Sequence, residues 1–439
     1  MDSNITMDIL IPIEISSREL LYKTYISCLL AKEGYNCYFG TKKNIAFLID
    51  KFENYIYLDK GYHKDVSDGI YKKIKSKNGI IINLDEEGAI DFPDGSTLKS
   101  RYSKKLFDES SKVLLWGEYQ FDLLKKLNLP INKINITGHP RFELLKEKYH
   151  SLYNPEVEAI NKKHKKFILI NTNFGFGNNI KGDDFVRKNY GGRIKRIEEI
   201  IAFDKVKQEA YVNLVKRLSI ESNDLIVYRP HPEENIDFYI KEFEGFKNVQ
   251  VIFEGSVVPW LLASKVMIHP DCTTGIEAIM LGKKSISFLP KKTNKEIVTS
   301  LPISISYNFN DLDKLIKFID QAKFKINEDY ENDLNIINNY FSYSKNSCQE
   351  IINCFNEVKN EPLKKNNSIK LKDKLLLNSK DFKLKIDKSV KTKLSKKKLN
   401  GFDYRTLSGM KKELENINNE IKEVKIEKIS HYLFKISKV

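Results

Sequence analysis

Three carboxylates stand together in "GIIINLDEEGAI", residues 79–90: Asp85, Glu86 and Glu87 follow the apolar run Ile80–Leu84. Like charges side by side repel, and a buried carboxylate is costly to ionise. Such a cluster implies a base or a cation site, and Gly88 lets the chain turn behind it. A second set lies in "YRPHPEEN", where Arg229, His231 and Glu233 follow the apolar stretch "DLIVY". Pro230 and Pro232 stiffen that turn and fix the direction of the histidine. A histidine at the carboxyl end of a strand can contact a phosphate or donate a proton near neutral pH. A histidine satisfied within its own loop is the plain alternative, and His139-Pro140 and His269-Pro270 repeat the dipeptide elsewhere.

The third set is "MIHPDCTTGIEAIMLG", residues 267–282, which places Thr273 and Thr274 where a helix begins. Free backbone amides and hydroxyls at such a start receive a phosphate. Glu277 follows, where a carboxylate can accept ribose hydroxyls, although ordinary capping explains the same residues. In "NFGFGNN", Asn173, Gly175 and Gly177 follow the strand-like "KFILINT" and offer amides to a ligand. The third glycine of a dinucleotide fingerprint is missing and no GxxxxGK[ST] loop occurs, so a tight turn is the simpler reading. Asp311 and Asp313 in "NDLDK" imitate a DxD metal site but read as a helix cap and a solvated acid, so no metal site is expected.

These residues need a scaffold, and the pattern supplies one. "MDILIPIEI", "YNCYFGT", "YIYLD", "GIIINL", "SKVLLWG" and "INKINITG" are short apolar runs separated by helical or turn-rich segments. A polar stretch near 151–166 follows, and then a second series: "KFILINT", "DLIVYRP", "NVQVIFEG", "KVMIHPD" and "KSISFLP". Strands alternating with helices predict parallel sheets. We therefore expect an α/β protein with two Rossmann-like domains, residues 1–160 on the acceptor side and 161–358 on the nucleotide side. Two such domains are expected to face a cleft, with ligands at the carboxyl ends of the strands. Residues 359–439 are expected to form a basic tail, with "KLSKKKLNG" flexible and the stretch from Met410 to Phe434 an amphipathic helix.

Composition narrows the function classes. The 439 residues are 41% hydrophobic, enough for substantial cores. Net charge is +15, yet residues 361–439 hold 22 Lys and Arg against 10 Asp and Glu, leaving 52 against 49 before them. A nearly neutral body argues against a nucleic-acid-binding protein. A basic tail suits an anionic surface, though an AT-rich coding sequence, with its abundant Lys, Asn and Ile, accounts for it equally. No run is apolar enough to span a membrane, and the start lacks the pattern of a secretory signal. Five cysteines without a CxxC pair fit a reduced, cytoplasmic chain with no structural zinc.

Taken in order, Glu86-Glu87-Gly88, His231-Pro232 and Thr273-Thr274 resemble the motif set of bacterial sialyltransferases and polysialyltransferases, namely [D/E][D/E]G, HP and paired Ser/Thr. The stretches "IPIEISSREL", "LDEEG", "WGEYQ", "TGHPRFELL", "INTNFG", "RPHPE" and "TTGIEA" are similar to the surface carbohydrate biosynthesis protein family over roughly residues 7–345. The resemblance implies a GT-B fold and transfer of a nonulosonic acid or Kdo from a CMP-sugar to a glycan hydroxyl, with inversion and without a metal or a further cofactor. It implies Glu86 as the base, with Glu87 open because Asp85 leaves the alignment ambiguous by one position. His231 would contact the CMP phosphate and protonate it as it leaves, Thr273 and Thr274 would hold it, and Glu277 would hold ribose or cytosine. Arg229, Pro232, Asn173 and Gly175 complete the donor side. Glu14, Arg18, Glu19, Asp85 and Arg141 would meet acceptor or donor carboxylate, with a surface helix start as the alternative for Arg18 and Glu19. The implied acceptor is a glycan or a lipid-linked glycan, and the tail implies peripheral contact with the inner face of the cytoplasmic membrane. A CDP-glycerol-type glycerophosphotransferase, a UDP-sugar 2-epimerase and a non-catalytic assembly protein are the competing readings.

Overall fold

The protein is described by a computed structural model covering residues 6–63, 66–88, 91–92, 95–192, 194–253, 255–290, 293–321, 330–358, 367–387, 389 and 396–439. It divides into two compact units. Unit 1 comprises residues 1–88, 101–144 and 339–439, and unit 2 comprises 89–100 and 145–338. The boundary at Leu144 precedes the polar stretch that marks it in the sequence. The last part of the expected second domain, residues 339–358, belongs to unit 1. The returning segment packs closely there: a Cβ on Gly117 would lie 2.3 Å from the Tyr340 carbonyl oxygen.

The sheet of unit 1 contains β1 (Asp8–Ile13), β2 (Asn36–Thr41), β3 (Tyr55–Asp59), β4 (Ile80–Leu84), β5 (Lys112–Leu115) and β6 (Ile134–Ile136), parallel in the order β2-β1-β3-β4-β5-β6. "DILIPI" is buried at every position, the signature of a strand covered on both faces. Strand order reverses between β1 and β3, and ligands of doubly wound sheets bind outside the carboxyl ends at such a switch.

The basic C-terminal region departs from expectation. It holds helices Leu371–Ile386 and Tyr404–Ile417, but the predicted helix stops at Ile417. β13 (Val424–Ser430) and β14 (Leu433–Lys438) then form an antiparallel hairpin, and β14 pairs with β2. The period-two alternation Val424-Lys425-Ile426-Glu427 was masked by a Lys- and Glu-rich run that suits a helix equally well. The hairpin closes the β2 edge, where Gly40 lies too near the Tyr432 carbonyl for any larger residue.

Unit 2 has β7 (Phe167–Asn171), β8 (Leu225–Arg229), β9 (Val249–Val251), β10 (Val266–His269), β11 (Ser285–Phe288) and β12 (Tyr307–Phe309). All pairs are parallel, in the order β12-β11-β10-β7-β8-β9, which is the Rossmann order with its switch between β7 and β10. Its core joins Ile168, Ile170, Ile226, Ile268 and Ile286 to Tyr211, Leu214 and Leu218 of the helix Ile197–Glu221.

Candidate active site

In unit 1 the charged residues collect at the carboxyl ends of β1, β3 and β4. The helix Ser16–Lys32 begins without a side-chain cap at Ile15. Glu19 instead reaches back from the first turn and accepts from the amides of Glu14 (3.3 Å) and Ile15 (3.0 Å). Glu19 is fully buried, 2.7 Å from Lys23 and 2.8 Å from Lys60. It therefore holds two lysines in the interior, unlike the surface helix start that was the alternative reading for it. Glu14 is partly exposed and paired with Lys42 (2.6 Å) and Lys60 (2.9 Å). Burial raises its pKa, but Lys60 and Lys42 outweigh burial and hold it at about 2.

The three acids of the LDEEG stretch have different surroundings. Glu86 is buried, 2.9 Å from Lys23, and accepts from the Tyr22 hydroxyl. Burial pushes it up, yet Lys23 first, then His139, Arg18 and Lys60, hold it far below the usual carboxylate range. Its second oxygen lies 4.0 Å from His139 Nε2, and neither atom has a hydrogen-bond partner. His139 is walled by Trp116 and Tyr22, and burial lowers it to about 3. Asp85 is buried under Arg101 (3.0 Å) and accepts from the Glu87 amide. Glu87 alone has a half-exposed side chain, 51% accessible, beside Arg101 and 3.7 Å from Arg18. Burial raises its pKa, while Arg101 and Arg18 lower it further, so it is ionised at neutral pH.

Gly88 serves packing. A Cβ there would lie 2.4 Å from Gln120 Nε2 and 3.3 Å from the Trp116 ring, while Trp116 Nε1 donates to the Asp85 carbonyl at 2.8 Å. Arg141 stacks on Phe142 and donates its amide to His139 Nδ1, so it braces this histidine.

In unit 2 the loops after β7 and β8 are joined by one carboxylate that sequence reasoning passed over. Glu234 is fully buried and accepts from Thr172 Oγ1 (2.8 Å), Phe174 N (3.1 Å), His231 N (2.9 Å) and the Tyr239 hydroxyl. Burial pushes it up to about 7. It fixes His231, which is exposed and accepts from the Glu233 amide on Nδ1. Gly175 lies against the same ring, its Cβ position 3.4 Å from Nδ1. The signal for Glu234 was an acid following His-Pro by two residues, indistinguishable in sequence from a solvated one.

The glycine loop itself is a tight turn. The amides of Phe176 and Gly177 donate to Asp204 (3.1 and 3.2 Å), so they do not face a ligand. Arg229 is buried, donates to the Gly255 carbonyl and stacks on Trp260, which makes it a support for the loop after β9. The pair Asp311 and Asp313 behaves as a cap and a surface acid: Asp311 accepts from the Lys314 amide and Asp313 pairs with Arg217.

At the switch point, Asn173 donates to Asp271 (3.0 Å), tying the β7 loop to the β10 loop. Lys207, fully buried, holds Asp204 (3.0 Å) and Asp271 (3.3 Å) together. The helix Thr273–Met280 starts there with Cys272, not a threonine, at its cap position. Thr273 and Thr274 are half-buried in the first turn, and Glu277 is buried in the second. His269 is structural: it accepts from the Cys272 amide, meets Ser306 at 3.0 Å, and lies so close to Gly275 that a Cβ would sit 2.4 Å away. Among the described residues, four buried polar atoms remain without hydrogen-bond partners at these strand ends: Asn171 Nδ2 and Oδ1, Asn173 Oδ1 and Thr274 Oγ1. Buried polar groups are nearly always satisfied, so this set marks where a ligand or water belongs. Asn171 had no sequence signal beyond closing an apolar strand.

No protein-family model matches the sequence, and no curated protein matches it. Solved structures do. The wall teichoic acid polymerase TagF aligns with a TM-score of 0.52 at 11% identity, over 81% of this chain and 90% of its own. A UDP-N-acetylglucosamine 2-epimerase gives 0.51 at 12%, over 82% and 98%. The UDP-GlcNAc 2-epimerase from Methanocaldococcus jannaschii gives 0.50 at 12%, over 80% and 99%. Identities this low speak for architecture alone, and with the two sheets they establish that this chain has a GT-B-like α/β fold built from two Rossmann-like units.

Proposed function

We propose that this protein is a transferase of surface-polymer synthesis that takes a cytidine-nucleotide-linked donor, with a CDP-linked alditol phosphate such as CDP-glycerol as the first choice. The observation that carries it is the set of unpartnered buried polar atoms on Asn171, Asn173 and Thr274 at the unit 2 switch point, beside an anchored His231. In doubly wound sheets that position receives nucleotide phosphates. Support for a CDP-linked donor comes from the architecture shared with TagF, whose structure was determined after soaking with CDPG.

On this reading His231 meets the phosphate, and Thr273 and Thr274 hold it with fixed donors, which stabilise charge developing there. Glu87 is the acid that receives a proton from the acceptor hydroxyl, because its side chain reaches solvent whereas Glu86 is buried and locked to Lys23. Arg18 beside it orients an anionic acceptor or donor group.

The order LDEEG, RPHPE, TTG supports a second donor, a CMP-linked nonulosonic acid or Kdo. Incubation with CMP-, CDP- and UDP-linked donors and a glycan or lipid-linked acceptor decides. Transfer from CDP-glycerol supports the first choice, and transfer from a CMP-sugar replaces it. Conversion of a UDP-sugar with no acceptor present overturns both in favour of an epimerase.

A further inference from the structure

The helix Leu371–Ile386 carries two opposed faces. One packs on unit 1: Asp373, Leu377 and Asp381 are buried. Asp381 accepts from Asn44 (3.1 Å), Ser430 Oγ (2.6 Å) and the Tyr432 amide (3.0 Å), and Asp373 lies 3.6 Å from Lys51. This face is fixed by charged and polar contacts at both ends. The other face is apolar and open to solvent. Leu371 is 74% exposed, Leu375 64%, Phe382 62% and Ile386 58%. At 100° per residue these four fall within one narrow stripe about 60° wide.

Lysines border the stripe. Lys372 and Lys383 lie on one side, Lys374 and Lys385 on the other, and all but Lys374 are exposed. Only Lys374 among them is drawn into an ion pair, with Glu427 at 2.9 Å. An exposed apolar stripe of this size is unusual on a soluble surface. Rimmed by cations, it has the composition of a helix that lies in the interface plane of an anionic bilayer.

We propose that the helix Leu371–Ile386 is an interfacial membrane anchor, its Leu, Phe and Ile stripe entering the acyl boundary of an anionic lipid surface while its lysines meet the headgroups. Charge complementarity selects this occupant. A second copy of the chain would set lysine rim against lysine rim, since a two-fold contact pairs each patch with itself. The anchor also sits at a useful place. The helix is preceded by Asn367, which bonds Asp8 at the amino end of β1, and Asp381 bonds Asn44 beyond the carboxyl end of β2. The chain then returns to the carboxyl edge, where the carbonyls of Lys398 and Asn400 accept from Ser16 Oγ. Within unit 1 the anchor is thus linked to the edge that carries Glu14, Arg18 and Glu87. The inference is independent of the donor assignment.

The test is flotation of the full-length chain with phosphatidylcholine vesicles, with and without phosphatidylglycerol. Binding is expected only with the anionic lipid and weakens as salt rises. Lys372→Ala, Lys383→Ala and Lys385→Ala together lower partitioning on the order of a hundredfold. Leu371→Ser, Leu375→Ser, Phe382→Ser and Ile386→Ser together abolish it, with the circular dichroism spectrum and melting temperature unchanged because all four side chains are exposed. Equal binding to neutral vesicles, no binding to either, or variants that bind like the parent chain would overturn the proposal. So would a dimer in solution that the four serine substitutions convert to monomer, which would make the stripe a contact between copies.

Discussion

The Lys23 ammonium lies 2.9 Å from the Glu86 carboxylate, and both side chains are 2% exposed. That pairing separates the acids of LDEEG by role. A carboxylate whose charge is committed to a buried lysine, and held far below its ordinary pKa, accepts a proton poorly. Breaking a buried pair leaves an uncompensated charge and typically costs several kcal/mol, whereas removing both partners costs less. Glu86→Gln is therefore expected to lower unfolding free energy by about 3 kcal/mol. Lys23→Met acts similarly, and the double variant loses less than the sum of the two. Urea unfolding of the four species gives the cycle.

Glu87→Gln predicts the reverse pattern. Its side chain is half-exposed, so stability should stay within about 0.5 kcal/mol of the parent. Donor turnover should fall by roughly 10²- to 10⁴-fold, the range for loss of a general base. Steady-state transfer from the active cytidine-linked donor measures it. Full activity in Glu87→Gln, together with a folded and inactive Glu86→Gln, would return the base to Glu86.

Glu234 gives a prediction in unit 2. Three of its donors converge on Oε1, and only Tyr239 addresses Oε2. Glutamine in the same pose keeps the three and turns its amide toward the tyrosine, so Glu234→Gln should be mild. Glu234→Ala strands the amides of Phe174 and His231, at about 1–3 kcal/mol for the buried one of Phe174. It should also loosen His231 and raise KM for the nucleotide donor several-fold. Chemical denaturation and donor titration read the two effects, and equal loss in both variants would mean that the charge, not the hydrogen-bond geometry, is what matters.

How much of this could be seen beforehand depends on where each residue gets its meaning. The parallel strands were legible because "DILIPI" and "FILIN" are continuous apolar runs, and the fold class followed from their alternation with helices. Glu234, Lys207 and Asn171 were invisible because a polar residue looks the same in sequence whether it is buried among partners or solvated. The hairpin 424–438 was missed for a related reason: its pairing partner β2 lies almost 400 residues away in the chain, and no local signal announces such a partner. Gly88 reads in sequence as a turn glycine, and only the structure shows that the nearness of Trp116 and Gln120 requires it.

Acid stability tests the last buried contact. His269 is fully buried, and burial lowers its pKa from 6.5 to about 4, with Asp271 opposing. In the unfolded chain the ring takes a proton below about 6.5, while the folded chain refuses it until about pH 4. Between those values the unfolded state binds more protons, so stability falls as pH falls. The contribution is intact above pH 6.5 and is lost through the window down to about 4, for a total on the order of 3 kcal/mol. His269→Gln removes the titrating ring and should flatten that part of the curve, measured as urea midpoint against pH. The same substitution frees space over Gly275, so Gly275→Ala, costing about 1–3 kcal/mol in the parent, should cost less in the His269→Gln background. A pH profile unchanged by His269→Gln would show that the ring titrates alike in the folded and unfolded chains, and so is not held neutral by burial.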